Sequence, residues 1–509
     1  MPRTSRFSSL LPLLTGVGIL AVLAGILLPL EYPVSWDDGL RHITMAREML
    51  TNGFGIGWSR FFYAGYLYEH LVDPWFLANF SYMPFVSFSD ATALHLYSLM
   101  SVAILLLTFW WVIRPFKLPP KWSSLLLLML LLGDQLFTQR ILIARPFVFT
   151  SAFTLIMIKV VLERRVLLAA LCMLVATLFS QLFVFPLFVL GCGCLWIYTL
   201  GERKKSITLA TAGLIGVFVG ILIHPHSWEY MQYIVLVFSK IPFMKHIRLG
   251  GEMYSGFSSS NSLFALVGAI ISLTVTSLVV HGKPKLNACY KSGLIFVAIM
   301  FVLFYIMYFL WARAIDLLWP VGIVLLAVFL SQIHECITDF FSYRSKRLHC
   351  SYGTITCIFI CTALLVHTFI IYTNNTERNQ NHPLRGSEEF ALIEPNSRVL
   401  NLDWDLLPVF ISIRPDLKFA SGIDNTFAYL ENEKGYELLS VYFSHTFYLE
   451  KPIIDTSSWI TQLLEHYPAD YFLVWGERSK NIRPVLYKTP ELTRLTESGA
   501  EFDIFAVNP

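Results

Sequence analysis

Charged residues are scarce in this sequence. They make up 14% of the chain, whereas a soluble protein usually has about 25%. So few charges cannot cover the water-facing surface of a 509-residue chain, which excludes a cytosolic enzyme, a disordered protein and a nucleic-acid-binding protein. The 55% of apolar residues and the mean hydropathy of +0.59 instead predict a polytopic membrane protein.

Several common signatures of chemistry are also missing. No group of Cys and His residues has the spacing of a zinc site, and all eight cysteines precede Thr373. Residues 373–509 contain neither a glycine-rich phosphate loop nor a nucleophile elbow. These absences leave carboxylates, histidines and arginines as the candidates for chemistry.

Charge divides the chain near Thr373. Residues 373–509 hold 12 Lys and Arg against 20 Asp and Glu, a net charge of −8, whereas residues 1–372 carry +11. We therefore expect a transmembrane domain at 1–372 and a soluble α/β domain at 373–509. Hydropathy patterns in the second region predict strands at 399–404, 471–475 and 502–507, and helices at 429–443 and 458–467.

Apolar runs long enough to cross a bilayer, about 20 residues each, fill the transmembrane domain. We count eleven, which begin near Ser9, Ala91, Trp122, Pro146, Val166, Leu182, Ile207, Asn261, Ser292, Ile315 and Thr354. The first follows Arg3 and Arg6, and its length favours a retained helix over a cleaved signal peptide. Basic residues concentrate in alternate links, which stay in the cytoplasm. The amino terminus is thus expected inside and the C-terminal domain outside.

The first external loop, residues 31–90, concentrates acidic and histidine side chains. Asp37 and Asp38 follow the first apolar run directly, and carboxylates this close to a bilayer need partners or a function. One interpretation is structural, because acidic residues cap a helix and complement its dipole. The other is catalytic, because a carboxylate can take the proton of an attacking hydroxyl. His42 lies on the same helix face as Asp38, four residues later.

Further polar residues in this loop are candidates for binding a substrate or a metal ion. Tyr66, Glu69 and His70 could contact a substrate, although a plain hydrogen-bonding role for His70 is equally open. Asp, Glu and His together also suit a divalent cation such as Mg²⁺ or Mn²⁺. The candidate ligands are Asp38, His42, His70 and Asp73.

Short motifs in this order resemble the GT-C superfamily, the integral-membrane glycosyltransferases that use polyprenyl-phosphate-linked sugars, and among them poorly characterised bacterial members. In the first loop they are Asp38-Gly39-Leu40-Arg41-His42 and Tyr68-Glu69-His70-Leu71-Val72-Asp73. Later ones are Ala144-Arg145-Pro146, His224-Pro225-His226, Ala312-Arg313-Ala314-Ile315-Asp316, Asn401-Leu402-Asp403-Trp404 and Ser421-Gly422-Ile423-Asp424-Asn425-Thr426-Phe427. The sequence departs from the pattern at Leu40 and Arg41, where aromatic residues are common, and at His224, where asparagine is usual.

The resemblance implies a GT-C-like body of about eleven helices with an extracytoplasmic C-terminal α/β domain, in a bacterial inner membrane. It implies an inverting transfer from a polyprenyl-phosphate sugar to an acceptor hydroxyl on a lipid, glycan or protein. Asp38, or Asp37 in its place, would be the catalytic base. Substrate contacts would include His224 and the arginines Arg145 and Arg313, since a guanidinium matches phosphate oxygens.

Three alternatives stay open from the residues alone. One is a non-catalytic scaffold with an external binding domain, which predicts that mutation of Asp37 and Asp38 does not change activity. Arg313 could instead pair with Asp316, three residues later, and anchor a helix end. The whole chain could be a transporter or flippase. Such proteins usually place ionisable residues at the bilayer midplane on broken, repeated helices. Here the ionisable residues in apolar runs are few, and no internal repeat is visible, which favours the enzyme.

Overall fold

Helices dominate the computed structural model, which describes residues 6–35, 38–239, 288–310, 312–342, 369–370, 372–377, 379–380, 382–420, 427, 430, 432–439, 456–475, 482–497 and 499–508. Asp37 lies outside these residues. The α-helices are α1 (Arg6–Leu27), α2 (Asp38–Asn52), α3 (Tyr66–Glu69), α4 (Phe76–Ser81), α5 (Asp90–Ile113), α6 (Pro120–Leu132), α7 (Gln135–Leu142), α8 (Phe147–Glu163), α9 (Val166–Phe179), α10 (Val184–Thr199), α11 (Arg203–Ile223), α12 (Ser227–Ser239), α13 (Ala288–Leu310), α14 (Ile315–Ser342), α15 (Leu407–Ile413), α16 (Thr456–His466) and α17 (Arg483–Leu486). Short 3-10 helices lie at Trp58–Arg60, Met83–Phe85, Arg114–Phe116, Gln181–Phe183, Ala312–Ala314, Pro383–Leu392 and Trp404–Leu406.

Membrane-crossing helices are present, as the apolar composition predicts. Within the described residues, five stretches are long and apolar enough to span a bilayer: Leu10–Leu27, Asp90–Phe116, Gln181–Thr199, Arg203–Ile223 and Gly293–Leu310. The pair α6 and α7 meets at a 77° bend and would supply a sixth span if both cross together. The predicted runs near Asn261 and Thr354 lie outside the described residues, so the count of eleven stays a prediction.

Local signals explain several of these helix boundaries. Helix α7 begins after Asp134, whose carboxylate accepts a hydrogen bond from the Phe137 N–H at 2.8 Å. Such an N-cap satisfies a backbone donor that has no partner within the helix. Helix α8 ends where Arg164 turns into the left-handed region at φ 55°. The sequence therefore specifies these ends through single residues.

The chain divides into two compact units. The first unit comprises Met1–Leu30, His95–Gly220 and Gly251–Glu377. The second unit comprises Glu31–Leu94, Ile221–Gly250 and Arg378–Pro509. The first external loop and the C-terminal region, which are far apart in sequence, thus fold together in the second unit.

A five-stranded sheet forms the centre of the C-terminal region. Its strands are β1 (Arg398–Asn401), β2 (Lys418–Phe419), β3 (Tyr471–Trp475), β4 (Leu492–Arg494) and β5 (Phe502–Val507), in the order β2-β1-β3-β5-β4. Strand β1 runs parallel to β2 and β3, whereas β5 is antiparallel to β3 and β4. The predicted strands 471–475 and 502–507 match β3 and β5, and the predicted helix 458–467 matches α16 to within two residues.

Apolar side chains from these strands and from α16 make the core of this region. Leu400, Phe472 and Phe505 from the sheet pack with Ile460 and Leu463 from the helix, and all five are fully buried. Side chains at alternate strand positions, such as Phe472 and Val474, face this core. Burial of this surface is the main stabilising contribution.

The first external loop continues this sheet beyond β2. Phe419 donates its N–H to the Phe61 carbonyl at 2.8 Å, and Tyr63 donates to the Phe419 carbonyl at 3.1 Å. Helix α2 packs against α15 in the same unit. At the end of α2, Arg47 forms an ion pair with Asp90. Main-chain hydrogen bonds and helix packing therefore fix the loop on the C-terminal sheet.

The segment after α1 is also attached to the C-terminal region. Asn379 accepts a hydrogen bond from the Tyr32 N–H at 3.3 Å and donates one to the Tyr32 carbonyl. The ring of His382 stacks on Tyr32 with centroids 5.3 Å apart. His382 Nδ1 also accepts the Leu384 N–H at 3.2 Å. Burial, with a smaller effect of Arg385, lowers the pKa of His382 to about 3.

This lowered pKa predicts a pH dependence of stability. The unfolded chain takes up a proton on His382 below about pH 6.5, whereas the folded chain keeps the ring neutral down to about pH 3. Stability is therefore expected to fall as the pH drops through that range.

His382→Asn keeps an acceptor for the Leu384 N–H but cannot titrate. When the pH is lowered from 7.5 to 5, the unmodified protein should lose more stability than this variant does. The difference should be about 1 kcal/mol for each pH unit below 6.5. Thermal unfolding at the two pH values checks this, and equal losses in both proteins would contradict it.

Candidate functional site

Asp38 begins helix α2 and is held by a neighbouring arginine. Its Oδ1 lies 3.0 Å from Arg41 Nη2, and the two residues are three apart on the helix. The Asp38 side chain is 22% exposed, whereas Arg41 is buried. The Arg41 guanidinium carbon lies 4.3 Å from the Trp75 ring centroid and 5.9 Å from that of Trp58. The partly exposed carboxylate thus has a partner fixed against two aromatic rings.

Asp73 is the most enclosed acidic residue of the first loop. It is 2% exposed. Its Oδ1 accepts hydrogen bonds from Trp58 Nε1 and the Trp75 N–H, both at 3.0 Å, and its Oδ2 accepts one from Asn79 Nδ2 at 2.7 Å. Burial raises the pKa of Asp73, and these three donors oppose that rise. The carboxylate therefore joins three segments of the loop.

Asn79 connects Asp73 with His42. The side-chain oxygen of Asn79 lies 2.5 Å from His42 Nδ1. The His42 ring stacks on Tyr82 at 5.5 Å and meets the edge of Trp75 at 6.0 Å. Burial, with a smaller effect of Arg41, lowers the pKa of His42 to about 3. His42 is thus a neutral, enclosed imidazole one turn after Asp38.

His224 joins the segment before α12 to the first loop. Its Nδ1 accepts the His226 N–H at 3.2 Å, so the ring proton must lie on Nε2, which is 2.9 Å from the Asp73 carbonyl oxygen. Burial lowers the pKa of His224 and keeps the ring neutral. Tyr230 stacks on this ring with centroids 4.3 Å apart. Because backbone groups occupy both ring nitrogens, the geometry assigns His224 a role in positioning the loop, and substrate contact stays a prediction.

Tyr66, Glu69 and His70 lie on or directly after the short helix α3. Tyr66 is buried, and its ring centroid is 4.2 Å from that of His70. Glu69 is exposed. The turn before α3 favours glycine, because Gly65 has a φ of +84°, a backbone conformation that residues with a side chain rarely adopt. Their roles in substrate binding stay predictions.

The candidate metal ligands are not brought together. Within the described ranges, no group of three or more His, Cys, Asp or Glu side chains is arranged to hold a metal ion. His42 Nδ1 faces Asn79, and both Asp73 carboxylate oxygens accept hydrogen bonds from donors. Asp38 faces the Arg41 guanidinium. The described residues therefore do not fit a divalent cation, and no catalytic step is assigned to one.

The arginine candidates belong to the first unit. Asp316 accepts the Arg140 Nε–H at 2.9 Å and lies 2.8 Å from Arg140 Nη2, and both side chains are buried. The Phe147 ring lies 5.1 Å from the Arg140 guanidinium carbon and 5.4 Å from that of Arg313. Arg145 is buried and follows Ala144, which has a φ of 54°. Phosphate binding by Arg145 and Arg313 stays a prediction.

Several residues that shape the site carry no motif in the sequence. Asn79, Trp58 and Trp75 hold Asp73, but isolated asparagines and tryptophans do not indicate a site. A local signal does exist for one contact. Asp73 precedes a proline and accepts the N–H two residues later, which is the geometry of an Asx-turn. That turn could have been predicted, whereas the contacts with Trp58 and Asn79 could not.

The buried ion pair in the first unit predicts a large effect on stability. Asp316→Asn leaves the Arg140 guanidinium buried beside a neutral amide, which typically costs about 3 kcal/mol. Lys205→Gln is the matched control, because it breaks an ion pair with Glu202 whose side chains are 65% and 30% exposed, and such pairs contribute under about 1 kcal/mol. Denaturant unfolding of the detergent-solubilised protein measures both. Similar losses of unfolding free energy in the two variants would contradict the larger contribution of the buried pair.

No family model and no curated protein matches the sequence. Solved structures match the fold. Archaeal oligosaccharyltransferase AglB from Archaeoglobus fulgidus, in complex with an inhibitory peptide and a dolichol-phosphate, has a TM-score of 0.57 at 10% identity, over 99% of this chain and 75% of that one. Arabinofuranosyltransferase AftD from Mycobacteria has a TM-score of 0.56 at 12% identity, over 98% of this chain and 40% of that one. ArnT from Cupriavidus metallidurans, bound to undecaprenyl phosphate, has a TM-score of 0.52 at 13% identity, over 97% of both chains. The chain therefore has the fold of the GT-C membrane glycosyltransferases, to which these three enzymes belong.

Proposed function

We propose that this protein is a membrane glycosyltransferase that moves a sugar from a polyprenyl-phosphate donor to a hydroxyl on a lipid, glycan or protein acceptor. The observation that carries the proposal is the GT-C fold combined with a partly exposed, arginine-bound Asp38 close after the first membrane-crossing helix. AglB and ArnT were solved with dolichol-phosphate and undecaprenyl phosphate, which are both polyprenyl phosphates.

The position of Asp38 suits a donor anchored in the membrane. Helix α1 ends at Leu27 and α2 begins at Asp38, so the carboxylate follows a membrane-crossing segment by eleven residues. The sugar of a polyprenyl-phosphate donor lies at the lipid headgroups. A base near the end of a membrane-crossing helix can reach such a sugar, and a water-soluble nucleotide sugar is not needed.

In the proposed reaction Asp38 takes the proton of the acceptor hydroxyl. The acceptor oxygen then forms a bond to the anomeric carbon on the face opposite the phosphate. The bond between that carbon and the phosphate oxygen breaks, so the configuration is inverted and polyprenyl phosphate leaves as an anion. Arg145 or Arg313 would stabilise its charge, because a guanidinium binds phosphate oxygens in pairs.

The proposal places the C-terminal domain and the first loop outside the cytoplasm. Six alternate links hold 16 basic residues, and basic links stay inside. A reporter that is active only outside the cytoplasm should therefore be active when fused after Pro509 and silent when fused after Lys205. The reverse pattern would place Asp38 in the cytoplasm and contradict the proposed outer-face reaction.

Loss of the Asp38 carboxylate is the direct test of the reaction. Asp38→Asn is nearly isosteric but leaves the buried Arg41 beside a neutral amide, so the variant should lose some stability. Thermal unfolding checks that it is folded, and turnover of the folded variant should fall by roughly 100-fold or more, the usual scale for a lost general base. The measurement is transfer from radiolabelled undecaprenyl-phosphate glucose, mannose, galactose and arabinofuranose to membrane acceptors, identified by mass spectrometry. Glu48→Gln is the control, because it makes the same change on the same helix at a residue paired with Arg60.

Asp37→Asn should cost less than Asp38→Asn if Asp37 acts as a helix cap. Equal, severe losses at both positions would indicate a cation shared by the two carboxylates or a proton held jointly by them. Near-full activity of the Asp37→Asn/Asp38→Asn double variant would contradict the assignment of the base.

A further inference from the structure

We infer that Arg41 is a positioning residue of the proposed reaction: Asp73 aligns Trp58 and Trp75 as a support for the Arg41 guanidinium, and Arg41 holds the Asp38 carboxylate in one orientation. The inference rests on the proposed function, because it assigns Asp38 the role of base. Each contact in this series joins residues of the second unit.

The series begins at one oxygen of a buried carboxylate. Asp73 Oδ1 accepts the indole N–H of Trp58 and the backbone N–H of Trp75, each at 3.0 Å. Both groups can only donate, so the oxygen fixes where the two tryptophans lie. The rings meet edge to face with centroids 5.9 Å apart, which is a preferred geometry for aromatic pairs. Asp73 therefore fixes the Trp58 ring directly, and it fixes the backbone from which the Trp75 ring projects.

The two rings then limit where the Arg41 guanidinium can lie. Its carbon atom is 4.3 Å from the Trp75 centroid, well within the range of a cation–π contact, and 5.9 Å from that of Trp58. Arg41 is 3% exposed, so water does not compete strongly for the cation. A lysine could keep the charge, but it lacks the flat group that stacks on the Trp75 ring. The support is thus specific for arginine.

Arg41 in turn restrains the candidate base. Its Nη2 is 3.0 Å from Asp38 Oδ1, one helical turn away. This contact limits the rotamers that a partly exposed aspartate at the first position of a helix can adopt. Because small displacements of a reacting group reduce rates strongly, a fixed orientation of this carboxylate should increase turnover. Arg41 acts through Asp38 and does not need to touch the substrate.

The residue beside Arg41 is compatible with this arrangement. His42 is buried and neutral, so it adds no second positive charge next to the guanidinium. Its Nδ1 is bound by Asn79, whose amide also donates to Asp73 Oδ2. Both oxygens of Asp73 therefore restrain the first turn of α2, one through the tryptophans and the other through Asn79.

Arg41→Lys tests the inference, with Arg47→Lys as the matched control. Arg47 lies on the same helix and also pairs with an aspartate, Asp90, but it has no part in the series. We expect Arg41→Lys to lower kcat for the undecaprenyl-phosphate sugar that the unmodified protein uses by roughly tenfold or more, with a smaller change in KM. Arg47→Lys should keep kcat within about twofold, because partly exposed ion pairs of this kind contribute little stability.

A double variant separates positioning from a purely structural role. In the Asp38→Asn background, Arg41→Lys should cause no further loss of kcat, because no base is left to orient. An equal loss in both backgrounds, a loss confined to KM, or no loss at all would overturn the inference. If Arg41→Lys does not fold, Trp75→Phe replaces it, since this variant keeps the backbone donor to Asp73 and an aromatic ring at this position but weakens the cation–π contact with Arg41.

The same experiments distinguish this inference from the proposed function. An unmodified protein that transfers sugar and depends on Asp38, but is insensitive to Arg41→Lys, would overturn only the positioning role. No transfer from any of the four labelled undecaprenyl-phosphate sugars, together with no effect of Asp38→Asn on the membrane products, would overturn the proposed function and the inference with it.

Discussion

The burial of the Asp73 carboxylate is the constraint on which the candidate site depends. An ionised carboxylate loses its hydration when it is enclosed, and only hydrogen-bond donors can compensate for that loss. Here the donors come from Trp58, Trp75 and Asn79, while the backbone carbonyl of the same residue binds His224. The need to satisfy the polar oxygens of one buried residue thus draws segments of the first loop, and the segment before α12, to one point. The orientation of α2 and of Asp38 follows from that convergence.

The parts of the fold that were predicted correctly depend on local sequence patterns. Strands β3 and β5 and helix α16 follow from the spacing of apolar residues alone. Strand β1 shows where such a pattern stops being sufficient. The run 399–404 is apolar enough to suggest a longer strand, but β1 ends at Asn401. Beyond it, the Asp403 carboxylate accepts the Trp475 N–H at 2.6 Å, and the chain turns into the 3-10 helix Trp404–Leu406. A side-chain contact with a distant strand therefore ended the element.

The candidate site was predicted as a set of residues but not as an arrangement. The sequence identified Asp38, His42 and Asp73 because acidic and histidine side chains after a membrane-crossing helix are unusual. It suggested that they share a cation, because residue type alone does not reveal partners. The actual partners are an arginine three residues away, an asparagine 37 residues from His42, and two tryptophans. The pair formed by Arg140 and Asp316 joins residues 176 positions apart. Contacts of this kind depend on the tertiary fold, and one sequence does not encode them as a pattern.

Aromatic rings explain how an apolar chain carries buried cations. The sequence has 15% aromatic residues and only 14% charged ones, so a cation often has a ring as its neighbour. Arg41 lies on Trp75 in the second unit, and Phe147 is close to both Arg140 and Arg313 in the first. Arginine suits such surroundings better than lysine, because its flat guanidinium is weakly hydrated and keeps its charge when it is buried. A ring holds the cation without neutralising it, so the guanidinium can still bind a carboxylate or a phosphate. The same interaction thus holds the arginine that pairs with Asp38 in the second unit, and it accompanies the buried Arg140 side chain in the first.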